Sequence, residues 1–372
     1  MEIPSYWKAT CSREIEIRAG YLNKKQTDWW KDLMIKGMGQ FYYENKIDWR
    51  KKEFLSIRVN STMVALTRHQ KKLKERYLVP FAGGRDSIVT LEGLKKRRTN
   101  IALFAVNPIE KIRQAIKVTG VKEQIIVRRI IDKKLLDLNK KGYLNGHTPF
   151  TSVLSFISVL CAVLFNYKNI AFSNEKSADE GNVKYLGKIM NHQWAKSAEF
   201  EKMFKDYVKK YLAKDINYFS FIRKYGELEI SKMLIKYPKY FPVFSSCNAG
   251  MKINNKGGMA AKERWCGNCP KCLFVYMSLY PLLKEKELLK IFGRDIFQNK
   301  KLLPTLYGLL GQACPPKPGG RRRRSIKPLE CVGTKAESQQ ALKLCLKKAL
   351  GRSPATGEAQ KSGKIPYLLT KI

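Results

Sequence analysis

Acidic residues and histidine are both scarce in this chain: 31 Asp and Glu and three His stand against 72 Lys and Arg in 372 residues. The chain also lacks a long apolar run. Its longest, residues 150–165, falls short of the ~20 residues a membrane helix needs and contains Thr151, Ser152, Ser155 and Ser158. No secretory leader is visible, because Met1-Glu2-Ile3-Pro4 opens directly into polar sequence. The expectation is a soluble, cytoplasmic protein. An odd total of nine cysteines argues against a disulfide framework in such a protein. The missing carboxylates leave a net charge of +41, which invites a nucleic-acid reading. The lysines, however, are spread through every segment. The one true cluster is Arg321-Arg322-Arg323-Arg324, which follows the linker-like Pro315-Pro316-Lys317-Pro318-Gly319-Gly320. The charge is therefore read as compositional, and specific nucleic-acid binding is disfavoured.

What is present begins with Phe81-Ala82-Gly83-Gly84-Arg85-Asp86-Ser87, set between an apolar, β-prone run from Tyr77 and a helix-spaced run from Ile88. Two glycines let the backbone approach an anion and adopt positive φ. The N–H groups and dipole of the following helix then favour negative charge. Ser87 can donate to a phosphate oxygen and Arg85 can pair with one, whereas the acceptor-only Asp86 suits a metal or a capping role. No Gly-Lys-Ser/Thr follows, so this is not a Walker loop. The pattern resembles the Ser-Gly-Gly-x-Asp-Ser pyrophosphate loop of adenylating ATP pyrophosphatases, with Ala82 in place of the first Ser. A plain strand-to-helix turn is the competing reading.

Cys266, Cys269 and Cys272 are separated by two-residue gaps, and Cys247 lies upstream. Four thiolates so spaced suit a closed tetrahedral zinc site with a structural role. An iron–sulfur cluster is the alternative. Of the other cysteines, Cys161 reads as core, and Cys331 alone has a distinctive setting, in Pro328-Leu329-Glu330-Cys331-Val332-Gly333.

From Tyr77 onward short apolar strands alternate with helical stretches. That alternation predicts an α/β fold, a parallel sheet with helices on both faces, plus a helical subdomain around the cysteines. Four regions follow: an N-terminal α+β region over 1–75 with substrate binding as a candidate role, a nucleotide-binding domain over 76–245, the cysteine-cluster subdomain over 246–310, and a basic linker with C-terminal segment over 311–372. Ligands bind at the carboxyl ends of parallel strands, which places Asp86, Ser87, Asn107, Asn174 and Glu175 on one rim. The loop 145–149, with His147, and the polar loop 174–182 would join it. Carboxylates there could hold Mg²⁺ against ATP phosphates.

Taken together, the Gly83–Ser87 loop, Asn145-Gly146-His147-Thr148-Pro149, Ser173-Asn174-Glu175-Lys176-Ser177-Ala178 and Ser197-Ala198-Glu199-Phe200-Glu201 form a recognisable series. It continues through Tyr218-Phe219-Ser220-Phe221-Ile222-Arg223 and Arg264-Trp265-Cys266-Gly267-Asn268-Cys269-Pro270-Lys271-Cys272 to the segment around Cys331. The series resembles the UDP-N-acetyl-α-D-muramoyl-L-alanyl-L-glutamate epimerase family, of the pyrophosphatase-loop superfamily. Arg85 replaces that family's usual Lys, and Lys224-Tyr225 replaces Pro-Leu. The resemblance implies an adenine nucleotide alpha-hydrolase-like fold and an ATP-dependent inversion of the terminal L-glutamate of a UDP-muramoyl dipeptide, serving peptidoglycan synthesis. An acyl-adenylate would be the intermediate, and AMP and pyrophosphate the by-products. It implies ATP and Mg²⁺ at Gly83, Gly84, Arg85, Asp86, Ser87, Asn107 and Asn174, and structural Zn²⁺ at the four cysteines. His147 and Glu175 are the candidate acid–base groups, and Arg223 and Arg264 the candidates for stabilising charge. A tRNA-modifying adenylase, a 7-cyano-7-deazaguanine synthase-like enzyme and a non-enzymatic zinc-ribbon RNA binder are the alternatives.

Overall fold

Five short parallel strands form the central sheet of the computed structural model, which describes residues 2–60, 68–249, 264–315, 326–351 and 365–371. In chain order they are β1 (Tyr77–Pro80), β2 (Ile101–Val106), β3 (Gln124–Val127), β4 (Asn169–Phe172) and β5 (Asn217–Ser220). Their order in space is β3-β2-β1-β4-β5. The register pairs Tyr77 with both Ile101 and Asn169, so β1 lies at the centre. The first three strands build outward one way and the last two the other. The reversal falls between β1 and β4, and a crevice forms at such a switch point, beyond the carboxyl ends of the two strands.

Side chains on a strand alternate between faces, and here the two faces have different partners. Leu78, Ala102, Phe104, Ile170, Phe172 and Tyr218 join the cluster that contains α3 (Phe150–Leu164) and α4 (Ala198–Tyr207). Val79, Ile101, Leu103, Ala105 and Ala171 join the opposite cluster. That cluster holds α1 (Arg85–Lys95), α2 (Glu110–Thr119), α5 (Glu227–Leu234), α6 (Pro270–Leu279) and α7 (Lys335–Ala349). The central strands are buried on both sides, as a parallel sheet requires. The cysteine-bearing region is continuous with this second layer, since Cys272 and Leu273 share its core with Val79 and Leu91.

Residues before the sheet contribute three helices and a two-stranded parallel ribbon, Glu14–Ile17 with Ser56–Val59. Trp7, Met34, Met38, Phe41, Tyr42 and Trp49 form their own cluster, joined by Met190. Helix α3 is the apolar run 150–165, and it is only partly buried: Leu160, Leu164 and Phe165 lie on its open side. Among the described residues no helix is long and apolar enough to cross a membrane.

The C-terminal segment docks on the body through one face of α7. Ser338, Ala341, Leu342, Cys345 and Lys348 are buried, whereas Ala336 is exposed and Leu344 half-buried. A Thr334–Glu337 capping box sets the phase. Spacings of three, four and seven from Ser338 then turn Ala336 outward. The cluster Arg321-Arg322-Arg323-Arg324 lies outside the described residues.

Candidate active site

The turn after β1 is shaped by Gly83 and Gly84. Gly83 takes φ +68, and a Cβ there would meet the Ala115 Cβ at 3.0 Å. Gly84 is the N-cap of α1 and offers no side-chain cap, so the first N–H groups of the helix lack intrahelical partners. Ser87 Oγ donates to the Gly84 carbonyl at 2.9 Å. The strap 245–247 holds the turn from outside. Ser245 N–H donates to the Gly83 carbonyl at 3.0 Å, and the Arg85 N–H reaches Ser246 Oγ at 3.4 Å.

Arg85 does not present its charge to the mouth of the turn, contrary to the phosphate-pairing role its position suggests. Its side chain is wholly buried, ion-paired to Glu227, and bonded to Ser231 Oγ at 3.0 Å and Asp86 Oδ1 at 3.0 Å. A guanidinium so committed braces α1 against α5. Two lysines that pattern alone did not single out, Lys196 and Lys271, lie within electrostatic reach of Asp86, and Lys271 Nζ also pairs with Glu227 Oε1 at 3.4 Å. Burial opposes ionisation of Asp86, yet Arg85, Lys271 and Lys196 hold its carboxyl below the usual range. Lys196 is also penalised by burial, but Cys331, Glu175 and Asp86 raise it above the ordinary lysine value. Lys271 feels Asp86, Cys331 and Glu175 as well, although burial lowers it overall. Lys196 thus joins Cys331, 3.4 Å from its Nζ, to the charges of Asp86 and Glu175 at the ends of β1 and β4.

Glu175 follows β4 and is 1 % exposed, and its Oε2 has no hydrogen-bond partner. Asn174 donates to Ser220 Oγ at 3.0 Å, forming part of the floor. Asn107 is on the same rim but one strand further out. Its amide is exposed and exchanges hydrogen bonds with the Arg129 backbone, at 2.6 and 2.8 Å. Arg223 donates to the Glu175 carbonyl at 2.9 Å, the Lys196 carbonyl at 2.7 Å and Glu201 Oε2 at 2.8 Å. It positions the two segments that carry Glu175 and Lys196. The Lys224-Tyr225 departure is absorbed through the backbone, where the Tyr225 carbonyl accepts from Lys176 N–H. Arg264 is not brought to the rim. Its carbonyl accepts from Ser245 Oγ at 2.7 Å, and the residue lines a separate cavity of about 200 Å³ with Trp265 and Lys290.

His147 lies against His192, ring centroids 4.6 Å apart. Burial, with His192 and Lys8 beside it, pushes its pKa down to about 3. Burial likewise pushes His192 to about 4, reinforced by Lys196. His192 Nδ1 is 2.5 Å from Gln40 Oε1, while its Nε2 is 3.7 Å from Cys331 Sγ. Lys196 Nζ donates to the same sulfur at 3.4 Å. The only sequence signal for His192 was the rarity of histidine.

Cys247, Cys266, Cys269 and Cys272 converge so that their sulfurs all lie within 4.8 Å of one another. Two of the separations are 3.5 Å and 3.6 Å. A tetrahedron with Zn–S of about 2.3 Å has S···S edges of about 3.8 Å, so the set fits one such ion. All nine cysteines are free of disulfides.

Comparison with known proteins gives a consistent result. The model described as the MurL N-terminal domain matches residues 2–221, and that described as the MurL C-terminal domain matches residues 243–355. A UDP-N-acetyl-alpha-D-muramoyl-L-alanyl-L-glutamate epimerase from Xanthomonas oryzae pv. oryzae is 31% identical over 346 residues, covering 93% of this chain and 72% of that protein. One of the same name from a Micromonospora species is 32% identical over 340 residues, covering 91% and 72%. Another from Salinispora tropica is 36% identical over 269 residues, covering 72% and 55%.

Proposed function

Because this chain belongs to the MurL family, we propose that it is an ATP-dependent epimerase with a pyrophosphatase-loop fold. Its reaction would convert the terminal L-glutamate of UDP-MurNAc-L-Ala-L-Glu to D-glutamate for peptidoglycan synthesis. The observation that supports this reading is the Gly83-Gly84 helix start at the β1/β4 switch point, beside a β4 end where Arg223 ties Glu175 to Lys196.

The chemistry demands activation. A carboxylate's Cα proton is scarcely acidic, since its removal places a second negative charge beside the first. Attack of the α-carboxylate on the α-phosphorus of ATP forms an acyl-adenylate and expels pyrophosphate, which removes that charge. The N–H groups at the Gly83-Gly84 helix start offer contacts to the phosphates, Ser87 Oγ would join them on releasing the Gly84 carbonyl, and Lys196 offsets their charge. Asp86 suits a hard cation, and bound Mg²⁺ would neutralise phosphate charge. Glu175, buried with Oε2 unpartnered, is the candidate acid–base group. His147, kept neutral and packed on His192, supports that ring instead of exchanging protons with substrate. Hydrolysis of the inverted adenylate releases AMP and product. The four-cysteine site, with no open position, is structural, and zinc suits it.

The test is incubation of purified protein with ATP, Mg²⁺ and either the UDP-muramoyl dipeptide, a tRNA pool or no substrate. Pyrophosphate is followed together with the chirality of the terminal glutamyl residue after acid hydrolysis of the product. Dipeptide-dependent pyrophosphate and D-glutamate are expected, with Asp86→Asn slower by roughly 10²-fold. Turnover driven only by tRNA would transfer the chain to the RNA-modifying adenylases.

A further inference from the structure

The segment 327–332 is fastened over the crevice by contacts that serve to present one side chain. Asn182 Oδ1 accepts the His192 N–H at 2.8 Å, while its Nδ2 donates to the Pro328 carbonyl at 2.7 Å. Gln193 Nε2 reaches the Val332 carbonyl at 3.4 Å, and Lys327 pairs with Glu180 at 3.3 Å. Between these fixed points Cys331 is only part-buried, with its sulfur against His192 Nε2 and Lys196 Nζ.

The hydrogen-bond network decides which nitrogen of His192 carries the proton. Gln40 Nε2 donates to Glu44 Oε1 at 2.8 Å, which orients the amide so that its oxygen faces His192 Nδ1. An amide oxygen only accepts, so Nδ1 is the N–H and Nε2 carries the lone pair. That lone pair faces Cys331 Sγ. A thiol beside an imidazole lone pair and an ammonium is oriented by the first and has in the second a stabilising charge for its anion. The same ammonium interacts with Glu175 and Asp86, so the sulfur belongs to the crevice and not to the zinc site.

We propose that Cys331 is a catalytic acid–base residue on one face of the glutamyl Cα, with His192 and Gln40 as its positioning residues. The proposal rests on the epimerase reading. The Cys331 thiolate takes the Cα proton of the activated glutamyl group. The C–H bond breaks, an S–H bond forms, and the electron pair is delocalised onto the acyl carbonyl as an enolate. A proton delivered to the opposite face of the enolate carbon, with Glu175 as the second acid–base group, forms the new C–H bond and completes the inversion. In the reverse direction the roles exchange, with Cys331 S–H donating.

The experiment uses the full chain in D₂O with ATP and Mg²⁺, giving it the L- and the D-glutamyl dipeptides separately. AMP, inversion and deuterium at Cα are read for wild type, Cys331→Ala and Cys331→Ser, with zinc content and thermal melting as checks on folding. Wild type should invert both isomers with deuterium incorporation. Both variants should form AMP within a few-fold of wild type, and inversion should fall by at least about 10²-fold. The signature is one-sided exchange: deuterium should still enter one isomer, with retention, through the surviving group. Exchange into both isomers or into neither, or inversion within tenfold of wild type, overturns the proposal. Loss of AMP formation with intact zinc and melting also overturns it, by making Cys331 part of activation. Wild type that inverts without forming AMP defeats the adenylation reading and leaves the assignment of Cys331 to be judged by the exchange pattern.

Discussion

His147 and His192 are two imidazoles held neutral side by side, and this has a consequence for stability. Their pKa values lie near 3 and 4 because burial, then neighbouring charge, penalises the imidazolium. Lys8 opposes protonation of His147; Lys196 and Lys327 oppose it at His192, where Glu330 and Glu44 partly offset them. In the unfolded chain both rings take up protons as pH falls through the ordinary histidine value of 6.5. Between there and the folded values the unfolded state binds more protons, so stability falls as pH falls. Denaturant midpoints measured from pH 7.5 to 4.5 should decline from about 6.5 downward, ahead of the carboxylates. The double variant His147→Gln, His192→Gln should show a flatter profile. An unchanged slope would mean that the rings are solvated. Residue type and rarity flagged His147, but the pairing with His192 was invisible, because 45 residues and a strand separate two loops that meet only in the folded chain.

Among elements, the strap 245–247 links the four-cysteine cluster to the Gly83-Gly84 turn. Cys247 is a candidate metal ligand, and the two serines before it contact Gly83 and Arg85 through the backbone and Ser246 Oγ. Metal removal should therefore disturb the turn as well as the fold around the cysteines. Cys272→Ala is expected to lose stoichiometric zinc by elemental analysis and at least ~3 kcal/mol of stability, because structural zinc contributes directly to folding. Dipeptide-dependent pyrophosphate release should disappear with it. Full zinc content in the variant, or iron with visible absorbance in the wild type, would contradict this. The ligand set was legible in advance because short spacings within one segment confine where thiolates can go. The strap's second job was not, since it consists of main-chain bonds that any residue type can make.

At the scale of the molecule, the net charge of +41 has a local and a diffuse part. Lys196 and Lys271 are held inside the protein, Lys196 against Cys331 and Lys271 against Glu227. The four arginines 321–324 follow a Pro/Gly-rich stretch and have no assigned part in the proposed reaction. Replacing all four with serine should leave turnover of the small muramoyl dipeptide unchanged, within about twofold, while weakening salt-sensitive retention on polyanions. Abolished dipeptide turnover would place the run in the site. Loss of a tRNA-dependent turnover alone would favour the RNA-modifying alternative.

The sequence by itself determined the features governed by local geometry. Alternating apolar runs and helical spacings specified an α/β fold, two glycines specified the turn after β1, and two-residue gaps specified the cysteine set. These follow from periodicity, steric freedom and ligand spacing within a few residues. Tertiary structure alone decided which charges the crevice receives. Arg85 reads as a phosphate ligand until Glu227, 142 positions later, is found buried against it, and Lys196 and Cys331 become neighbours only when the 327–332 segment docks over the β4 rim. A buried ion pair is set by the energetic demand that no charge be desolvated without a partner. That demand is met by whichever residue the packed helices bring within reach, at separations along the chain that no local pattern encodes.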